Sequence, residues 1–271
     1  MNRLRSLLFV PGDRPDRFDK AAAAGADGIV LDLEDAVLPD AKAAARQAVA
    51  GWRGLAGPAA MVRVNGAGTP WFDDDLDMLR AAGCRAVMVP KAEDAAVLAH
   101  VRERLGPAAR VFPLVETALG IANARELARA PGVARLVFGS VDFARDTGIQ
   151  DEGGWLPARV DLVMASRLAG LAAPIDGTVL HWDDAAAVQA VAAASRRMGF
   201  GGQLCIHPRQ VDPVNRGFLP SDDELAWARR VVWAVAQGGR GAITVDGKLV
   251  DKPLHDLAAA WLAQAGDVAA G

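Results

Sequence analysis

Residues 111–120 read Val111-Phe-Pro-Leu-Val-Glu-Thr-Ala-Leu-Gly120, an apolar run that ends on the single carboxylate of Glu116. A second stretch, Leu136-Val-Phe-Gly-Ser-Val-Asp-Phe143, repeats this pattern and ends on Asp142. Each run has the length and apolar density of a buried strand, and loop and helix sequence follows it. A buried carboxylate is costly unless a cation or a hydrogen-bond donor meets it. The two stretches therefore predict two strands whose ends each carry an acid that needs a partner.

The same order of strand, loop and helix recurs along the chain, in eight units by our count. The predicted strands lie at 6–10, 28–33, 60–64, 86–89, 111–115, 136–138, 175–180 and 203–206. The helices after the fifth and sixth strands are predicted at 118–130 and at about 157–171. Strands this apolar, without strict alternation, are typical of parallel sheets covered by helices. Eight such units favour the α/β class and a closed (β/α)8 TIM barrel.

An open, doubly wound sheet is the alternative fold. It would place a Gly-x-Gly-x-x-Gly turn after the first strand, whereas this chain has Pro11-Gly-Asp-Arg-Pro15. We therefore expect a barrel over residues 1–217 and a C-terminal extension over residues 218–271. Within the extension, Ser221-Asp-Asp-Glu224 predicts a capping box and a helix, Asp246-Gly247 a hairpin turn, and Pro253 the start of a last helix. This helix-hairpin-helix unit is expected to pack on a neighbouring subunit.

The composition of the 271-residue chain is that of an ordinary globular protein, 52% hydrophobic and 23% charged. The net charge of −3 is spread over interleaved acids and bases, which argues against a nucleic-acid partner. No apolar run approaches the roughly 18 residues of a membrane span, and Pro11 interrupts the short apolar N-terminal run. Cys84 and Cys205 are interpreted as small buried residues in a reducing compartment. A cytoplasmic protein without membrane contact is expected.

In a TIM barrel the active site lies at the C-terminal ends of the strands, so the polar residues there are the candidates. They are Asp32, Glu34, Asp35, Arg63, Asn65, Lys91, Glu116 and Asp142. Glu116 and Asp142 suit Mg2+, which takes oxygen ligands and often only one or two carboxylates. The alternative is that these two acids cap the following helices or pair with nearby bases.

The guanidinium of Arg63 lies between apolar neighbours and needs an anion, either a substrate carboxylate or a developing enolate oxygen. A structural ion pair with Glu34 or Asp35 is the alternative, and both can hold at once. Asp35 is a candidate catalytic residue, although acids clustered in one loop more often hold neighbouring side chains in place than take part in the reaction. Arg14 and Lys20 in the first loop would anchor a phosphorylated group or would simply start a solvated helix.

Several motifs, taken in order, resemble the citrate lyase β-subunit-like branch of the HpcH/HpaI aldolase superfamily. They are Ser6-Leu-Leu-Phe-Val-Pro-Gly12, Leu31-Asp-Leu-Glu-Asp-Ala-Val37, Val62-Arg-Val-Asn65, Pro90-Lys91, Leu114-Val-Glu-Thr117, Phe138-Gly-Ser-Val-Asp-Phe143 and Cys205-Ile-His-Pro208. The resemblance implies a Mg2+-dependent barrel, typically a homotrimer, in which Mn2+ would be an alternative ion. It also implies reversible Claisen or aldol-type cleavage of a 3-hydroxyacyl-CoA thioester, such as malyl-, citramalyl- or citryl-CoA, into an acyl-CoA and a 2-oxo acid.

By the same resemblance, Glu116 and Asp142 are the metal ligands, with Glu116 also beside the substrate, and Arg63 is at the reacting oxygen. Arg14 and Lys20 lie where CoA binds, and Asp251 acts as acid or base in a neighbour's site. Two departures from the family pattern stand out. Gly202-Gln203 replaces a Gly-Lys pair, and His181-Trp182 follows the seventh strand. The alternatives left open are a CoA-independent 2-oxo acid aldolase, a lyase subunit using an acyl-carrier protein, and a metal- and ligand-binding subunit without turnover.

Overall fold

Eight parallel strands close a barrel in chain order in the computed structural model, which describes residues 4–57, 59–237 and 243–266. The strands are β1 Ser6–Pro11, β2 Gly28–Asp32, β3 Ala60–Arg63, β4 Ala86–Val89, β5 Arg110–Val115, β6 Val137–Phe138, β7 Ile175–Asp176 and β8 Gly202–Cys205. The barrel closes because β1 pairs with β8, Leu7 opposite Leu204. The predicted TIM barrel is confirmed.

The barrel helices follow their strands. They are α1 Phe18–Ala22, α2 Lys42–Gly51, α3 Phe72–Ala81, α4 Ala95–Leu105, α5 Ala118–Ala122, α6 Ala124–Arg129, α7 Ser140–Thr147, α8 Leu156–Leu168, α9 Ala185–Met198 and α10 Val211–Gly217. The single helix predicted over 118–130 is instead two, α5 and α6, which meet at Asn123. The Asn123 side-chain amide donates to the carbonyl of Glu93 at 2.8 Å, a contact that local periodicity does not encode.

The sequence pattern predicted Asp142 at the end of a strand, and the structure places it elsewhere. Strand β6 ends at Phe138, and Asp142 lies in the first turn of α7. The apolar pattern continues past the strand because Phe143, on the buried side of α7, packs on Phe138 at a ring distance of 5.3 Å. Strand β7 is also shorter than predicted and stops at Asp176. In both places a short strand gives way early to a loop or a helix that reaches the mouth of the barrel.

The barrel interior is filled by apolar side chains from the strands. Its members are Leu7, Val30, Met61, Ala86, Met88, Phe112, Leu114, Val137, Ile175 and Leu204, all buried. Interiors packed in this way are rigid, and core side chains sit in fixed rotamers. The strand ends are therefore fixed points from which the polar residues of the mouth project.

The chain divides into two compact units, Met1–Arg216 and Gly217–Gly271. The second contains α11 Asp222–Ala236, the antiparallel strands β9 Ile243–Val245 and β10 Lys248–Val250, and α12 Lys252–Ala265. This helix-hairpin-helix arrangement is the one predicted, and Ser221 and Glu224 form the expected capping box. Residues 238–242, between α11 and β9, lie outside the described residues. That the unit packs on a neighbouring subunit stays a prediction.

The second unit has an apolar core of its own. Its buried members are Ala228, Val231, Val245, Val250, Ala258 and Leu262. Trp227 and Trp261, from the two helices, meet edge to face at 5.7 Å. Across the described part of the chain, no helix combines the length and the apolar character that crossing a membrane requires.

Candidate active site

A pocket of about 390 Å³ opens at the C-terminal ends of the strands, the end at which TIM barrels carry their active sites. Five of the candidate residues line it together: Asp32, Asp35, Arg63, Glu116 and Asp142. Apolar residues of the inner strands and loops complete the wall, namely Phe9, Leu114, Leu204 and Ile206. The fold therefore brings acids from the second, fifth and sixth barrel units and one arginine into a single concave space.

Arg63, the last residue of β3, is 9% exposed and is held by acids of the preceding unit. Its Nε and Nη2 each donate to one carboxylate oxygen of Asp32 at 2.7 Å, and Nη1 is 2.9 Å from Glu34 Oε2. Burial opposes the charge on Arg63, but the hydrogen bonds to Asp32 and the attraction of Asp32 and Glu34 outweigh it, so the pKa of Arg63 is raised. The structural ion pair is therefore real, and the guanidinium still lines the pocket.

Asp32 is the main partner of Arg63, whereas the sequence suggested Glu34 or Asp35. The register of β2 and β3 places Asp32 directly opposite Arg63, which explains the choice. Asp35 is farther from Arg63 than Glu34 is, at 4.0 Å from Nη1. Its side chain, at the rim of the pocket, is also more exposed than that of Glu34. Asn65, also a candidate, donates from its backbone and side-chain nitrogens to Asp75, at 2.9 and 2.7 Å, and so has a structural contact.

Glu116 follows β5 and is 1% exposed. Its Oε1 accepts the backbone N–H of Lys91 at 2.8 Å, and its Oε2 lies against Gly139, where an added Cβ would be only 2.3 Å away. Burial raises the pKa of Glu116 to about 8, despite the Lys91 N–H, and the neighbouring charge of Asp142 adds to the rise. Because Asp142 also lines the pocket, two carboxylates face one space, and a cation there would stabilise both charges.

The donor set of the pocket fits a hard divalent cation. Among the described residues no group of three or more His, Cys, Asp or Glu side chains is arranged to hold a metal. Mg2+ commonly takes one or two carboxylates and completes its shell with water and substrate oxygens. Glu116 and Asp142 match that requirement. Asp142 pairs with Arg145, whose exposed side chain lies 3.2 Å from the Asp142 carboxylate.

Two residues of the mouth were assigned no chemical role from the sequence, Lys91 and Glu34, of which Glu34 was named only as an ion-pair partner of Arg63. Glu34 is 7% exposed and lies between Arg63 and the ammonium of Lys91, with which it forms a close ion pair. Lys91 has a positive φ of 46°, rare for a residue with a side chain. The acid run 32–35 and the Pro90-Lys91 pair were visible in the sequence, but nothing local indicates that they meet.

Three predicted site residues are not brought to the pocket within the first unit. Arg14 is exposed, pairs with Asp16 at 3.0 Å and does not line the pocket. Lys20 lies exposed on α1 and does not line it either. Asp251 belongs to the second unit, where it caps α12 by accepting the N–H of Leu254 at 3.4 Å. The roles of all three stay predictions.

The two departures from the family pattern have clear positions. Trp182 stacks on His207 with ring centroids 4.3 Å apart, beside Ile206 of the pocket wall. Gln203 is buried in β8, away from the pocket, and its Oε1 has no hydrogen-bond partner among the described residues. Gln203 lines a small cavity with Arg159 of α8 and Val191 of α9, so the departure at this position does not alter the wall of the candidate site.

Comparison with known proteins agrees with this geometry. The family model for HpcH/HpaI aldolase/citrate lyase matches residues 5–208. A citrate lyase subunit beta-like protein of Deinococcus radiodurans is 39% identical, and the match covers 93% of each chain. A (3S)-malyl-CoA thioesterase of Cereibacter sphaeroides is 35% identical over 98% of this chain and 96% of its own.

A solved structure is similar over nearly the whole chain. It is the protein CitE of Mycobacterium tuberculosis in complex with magnesium, acetoacetate and coenzyme A. It superposes with a TM-score of 0.87 at 35% sequence identity, covering 97% of this chain and 98% of that one. The chain belongs to the HpcH/HpaI aldolase/citrate lyase family, in its citrate lyase β-subunit-like branch.

Proposed function

We propose that this protein is a Mg2+-dependent carbon–carbon lyase that reversibly cleaves a 3-hydroxyacyl-CoA thioester, such as malyl-, citramalyl- or citryl-CoA. The products are an acyl-CoA and a 2-oxo acid. The observation that carries the proposal is one pocket lined by the buried Arg63 and by the carboxylate pair Glu116 and Asp142. The complex of the similar M. tuberculosis protein with magnesium, acetoacetate and coenzyme A supports it.

The residues of the site have separate proposed roles. Glu116 and Asp142 would hold the ion, and Mg2+ bound there would act as a Lewis acid and a template for the 2-oxo acid. Arg63 presents its guanidinium to the reacting oxygen and stabilises the negative charge that develops on it. Asp32 and Glu34 fix the guanidinium plane, so little reorganisation is needed during the reaction.

Proton transfer and CoA binding are assigned to residues at the edge of the site. Asp251 of a neighbouring subunit is proposed as the acid or base, and Asp35 at the pocket rim is the alternative within the chain. Arg14 and Lys20 are exposed cations after β1, and they would bind the phosphates of CoA by charge. The apolar wall of Phe9, Leu114 and Leu204 would keep water from the bond that breaks.

A panel of CoA thioesters with product identification tests the function directly. We expect release of a 2-oxo acid and an acyl-CoA, loss of turnover in EDTA, and recovery when Mg2+ is added back. Glu116→Ala should abolish turnover and weaken Mg2+ binding measured by calorimetry, because it removes one of two carboxylate ligands. Retention of both properties in Glu116→Ala would show that the metal site is wrongly assigned.

Thioester hydrolysis is the second candidate, favoured by the similarity to a (3S)-malyl-CoA thioesterase. Hydrolysis gives free CoA and a hydroxy acid, whereas the lyase reaction keeps the thioester in the acyl-CoA product. Mass spectrometry of the products from malyl-CoA separates the two reactions. Titration with acetyl-CoA in the presence of Mg2+ and pyruvate tests the remaining alternatives. The proposed enzyme should bind acetyl-CoA, unlike a CoA-independent aldolase or a lyase that uses a carrier protein. It should also turn over, unlike a non-catalytic binding subunit.

A further inference from the structure

Lys91 makes two contacts that join the two halves of the candidate site. Its backbone N–H donates to Glu116 Oε1 at 2.8 Å. Its side-chain ammonium pairs with Glu34, which in turn lies 2.9 Å from Arg63 Nη1. A single residue after β4 therefore contacts the proposed metal ligand with its backbone and, through one carboxylate, contacts the arginine with its side chain.

The backbone contact depends on an unusual conformation. Lys91 has a φ of 46°, a conformation that residues with a Cβ rarely adopt. Strained backbone of this kind persists only where the surrounding structure requires it, and it is concentrated at functional sites. In this conformation the N–H points at Glu116 Oε1. The other carboxylate oxygen, Oε2, is then the one that lies against Gly139 of the pocket wall.

The side-chain contact balances charge inside the site. Two cations, Arg63 and Lys91, face two carboxylates, Asp32 and Glu34. Glu34 is buried, and its Oε2 is close to Arg63 without a hydrogen bond of good geometry. Without the Lys91 ammonium, Arg63 would be the ion-pair partner left to Glu34 among the described residues while it also pairs with Asp32, and its attraction for an incoming substrate oxygen would be reduced.

We propose that Lys91 is a positioning residue of this site, which orients Glu116 through its backbone N–H and balances Glu34 through its ammonium so that Arg63 remains available to substrate. The inference rests on the proposed function. It goes beyond that function because Lys91 does not line the pocket of Arg63 and Glu116 and is assigned no contact with the reacting atoms.

The side-chain contact is tested with Lys91→Met, which removes the charge and keeps most of the volume. We expect kcat/KM for the active thioester to fall about 10-fold to 100-fold. Adding Glu34→Gln removes the unbalanced carboxylate, so the double variant should be at least several times more active than Lys91→Met. Arg104→Met, which breaks an exposed ion pair with Asp77 on the barrel surface, is the control that should leave turnover unchanged. The role of the ammonium would be overturned if Lys91→Met kept the wild-type kcat/KM. It would also be overturned if the double variant lost the sum of the two single-variant losses in activation free energy.

The backbone contact is tested with a matched pair that lacks the ammonium in both members. Glycine accepts a positive φ freely, whereas a β-branched residue resists it. We therefore expect Lys91→Gly to bind Mg2+ alone within about threefold of wild type, and Lys91→Val to bind it about tenfold or more weakly, by calorimetry. Equal Mg2+ affinity in the two variants would overturn the backbone role.

These readouts separate the inference from the proposed function. If the wild-type protein converts no thioester of the panel, the proposed function fails, and the Mg2+ comparison of the Gly and Val variants still decides whether Lys91 orients Glu116. If the wild-type protein is an active lyase and all Lys91 variants match it in kcat/KM and in Mg2+ affinity, only the inference on Lys91 fails.

Discussion

At the scale of single residues, Arg63 shows how one side chain serves both the fold and the site. Its guanidinium forms a two-point contact with Asp32 and lies over the ring of Phe9 at 5.0 Å. Only a planar, forked donor can make the Asp32 contact and still direct Nη1 toward Glu34. Arginine at this position is therefore required by geometry as well as by charge.

Arg63→Lys should lower both stability and turnover. Lysine keeps the charge but cannot reproduce the fork, so we expect a loss of about 2 kcal/mol in unfolding free energy from the weakened contacts to charged groups. We expect kcat to fall about 100-fold to 1000-fold, the effect of removing one oxyanion donor. Urea unfolding and steady-state kinetics measure the two effects. Arg125→Lys, in an exposed pair with Asp161, is the control and should change neither; an active Arg63→Lys enzyme would contradict the role.

At the scale of elements, the junction of β6 and α7 positions the second carboxylate. Gly139 separates the two elements, and its N–H donates to Val115 O at 3.0 Å, which ties the junction to β5. Glu116 follows β5, so this contact sets the distance between the two acid-bearing segments. The absence of a side chain at Gly139 leaves the space that Glu116 Oε2 occupies.

Gly139→Ala should weaken the proposed metal site. The new Cβ would lie 2.3 Å from Glu116 Oε2, so the carboxylate has to move. We expect Mg2+ affinity to fall about tenfold or more, the usual consequence of disturbing the support of a ligand. Calorimetry with Mg2+ measures this. At Gly51 an added Cβ meets nothing within 4 Å, so Gly51→Ala should bind Mg2+ normally; equal affinity in both variants would be the contrary result.

Asp251 is the N-cap of α12, and its capping role can be separated from its proposed chemistry by substitution. Asparagine is as good an N-cap as aspartate but cannot exchange a proton, whereas alanine loses about 1 kcal/mol of helix stability. We expect Asp251→Asn to keep the wild-type melting temperature and to lose about 100-fold in turnover. Asp184→Asn, at the N-cap of α9, should keep both. Full activity in Asp251→Asn would remove Asp251 from the mechanism.

At the scale of the whole molecule, the second unit is a helix-hairpin-helix with its own small core. The closed barrel does not need it to complete the sheet, since β1 already pairs with β8. The resemblance that places Asp251 in a neighbour's site requires an oligomer, and the trimer is the expected form. Whether the second unit completes a site in another chain can be measured directly.

Mixed oligomers of Glu116→Gln and Asp251→Asn test the shared site. Each variant alone should be inactive, because one lacks a metal ligand and the other lacks the proton-transfer group. If the site takes Asp251 from a neighbour, random mixing should regenerate about one active site in four. Activity after co-refolding, with sedimentation to establish the oligomer, is the measurement. No recovery in a verified mixed trimer would place Asp251 within its own chain or outside the reaction.

The eight-unit barrel, the helix-hairpin-helix extension and the set of polar residues at the mouth follow from local sequence patterns. These features depend on periodicity, capping and turn residues, which act within a few positions of one another. Glu116 and Arg63 can therefore be predicted at the mouth of the barrel from the sequence alone.

Which of these polar residues contact one another depends on the three-dimensional packing of the barrel. The register of β2 and β3 places Asp32 opposite Arg63, the early end of β6 places Asp142 on a helix, and the backbone of Lys91 turns toward Glu116. Strand register, strand length and a positive φ at a residue other than glycine are set by packing across the whole barrel. Such long-range constraints leave no local pattern, so they could not be predicted from the sequence of the segments that carry them.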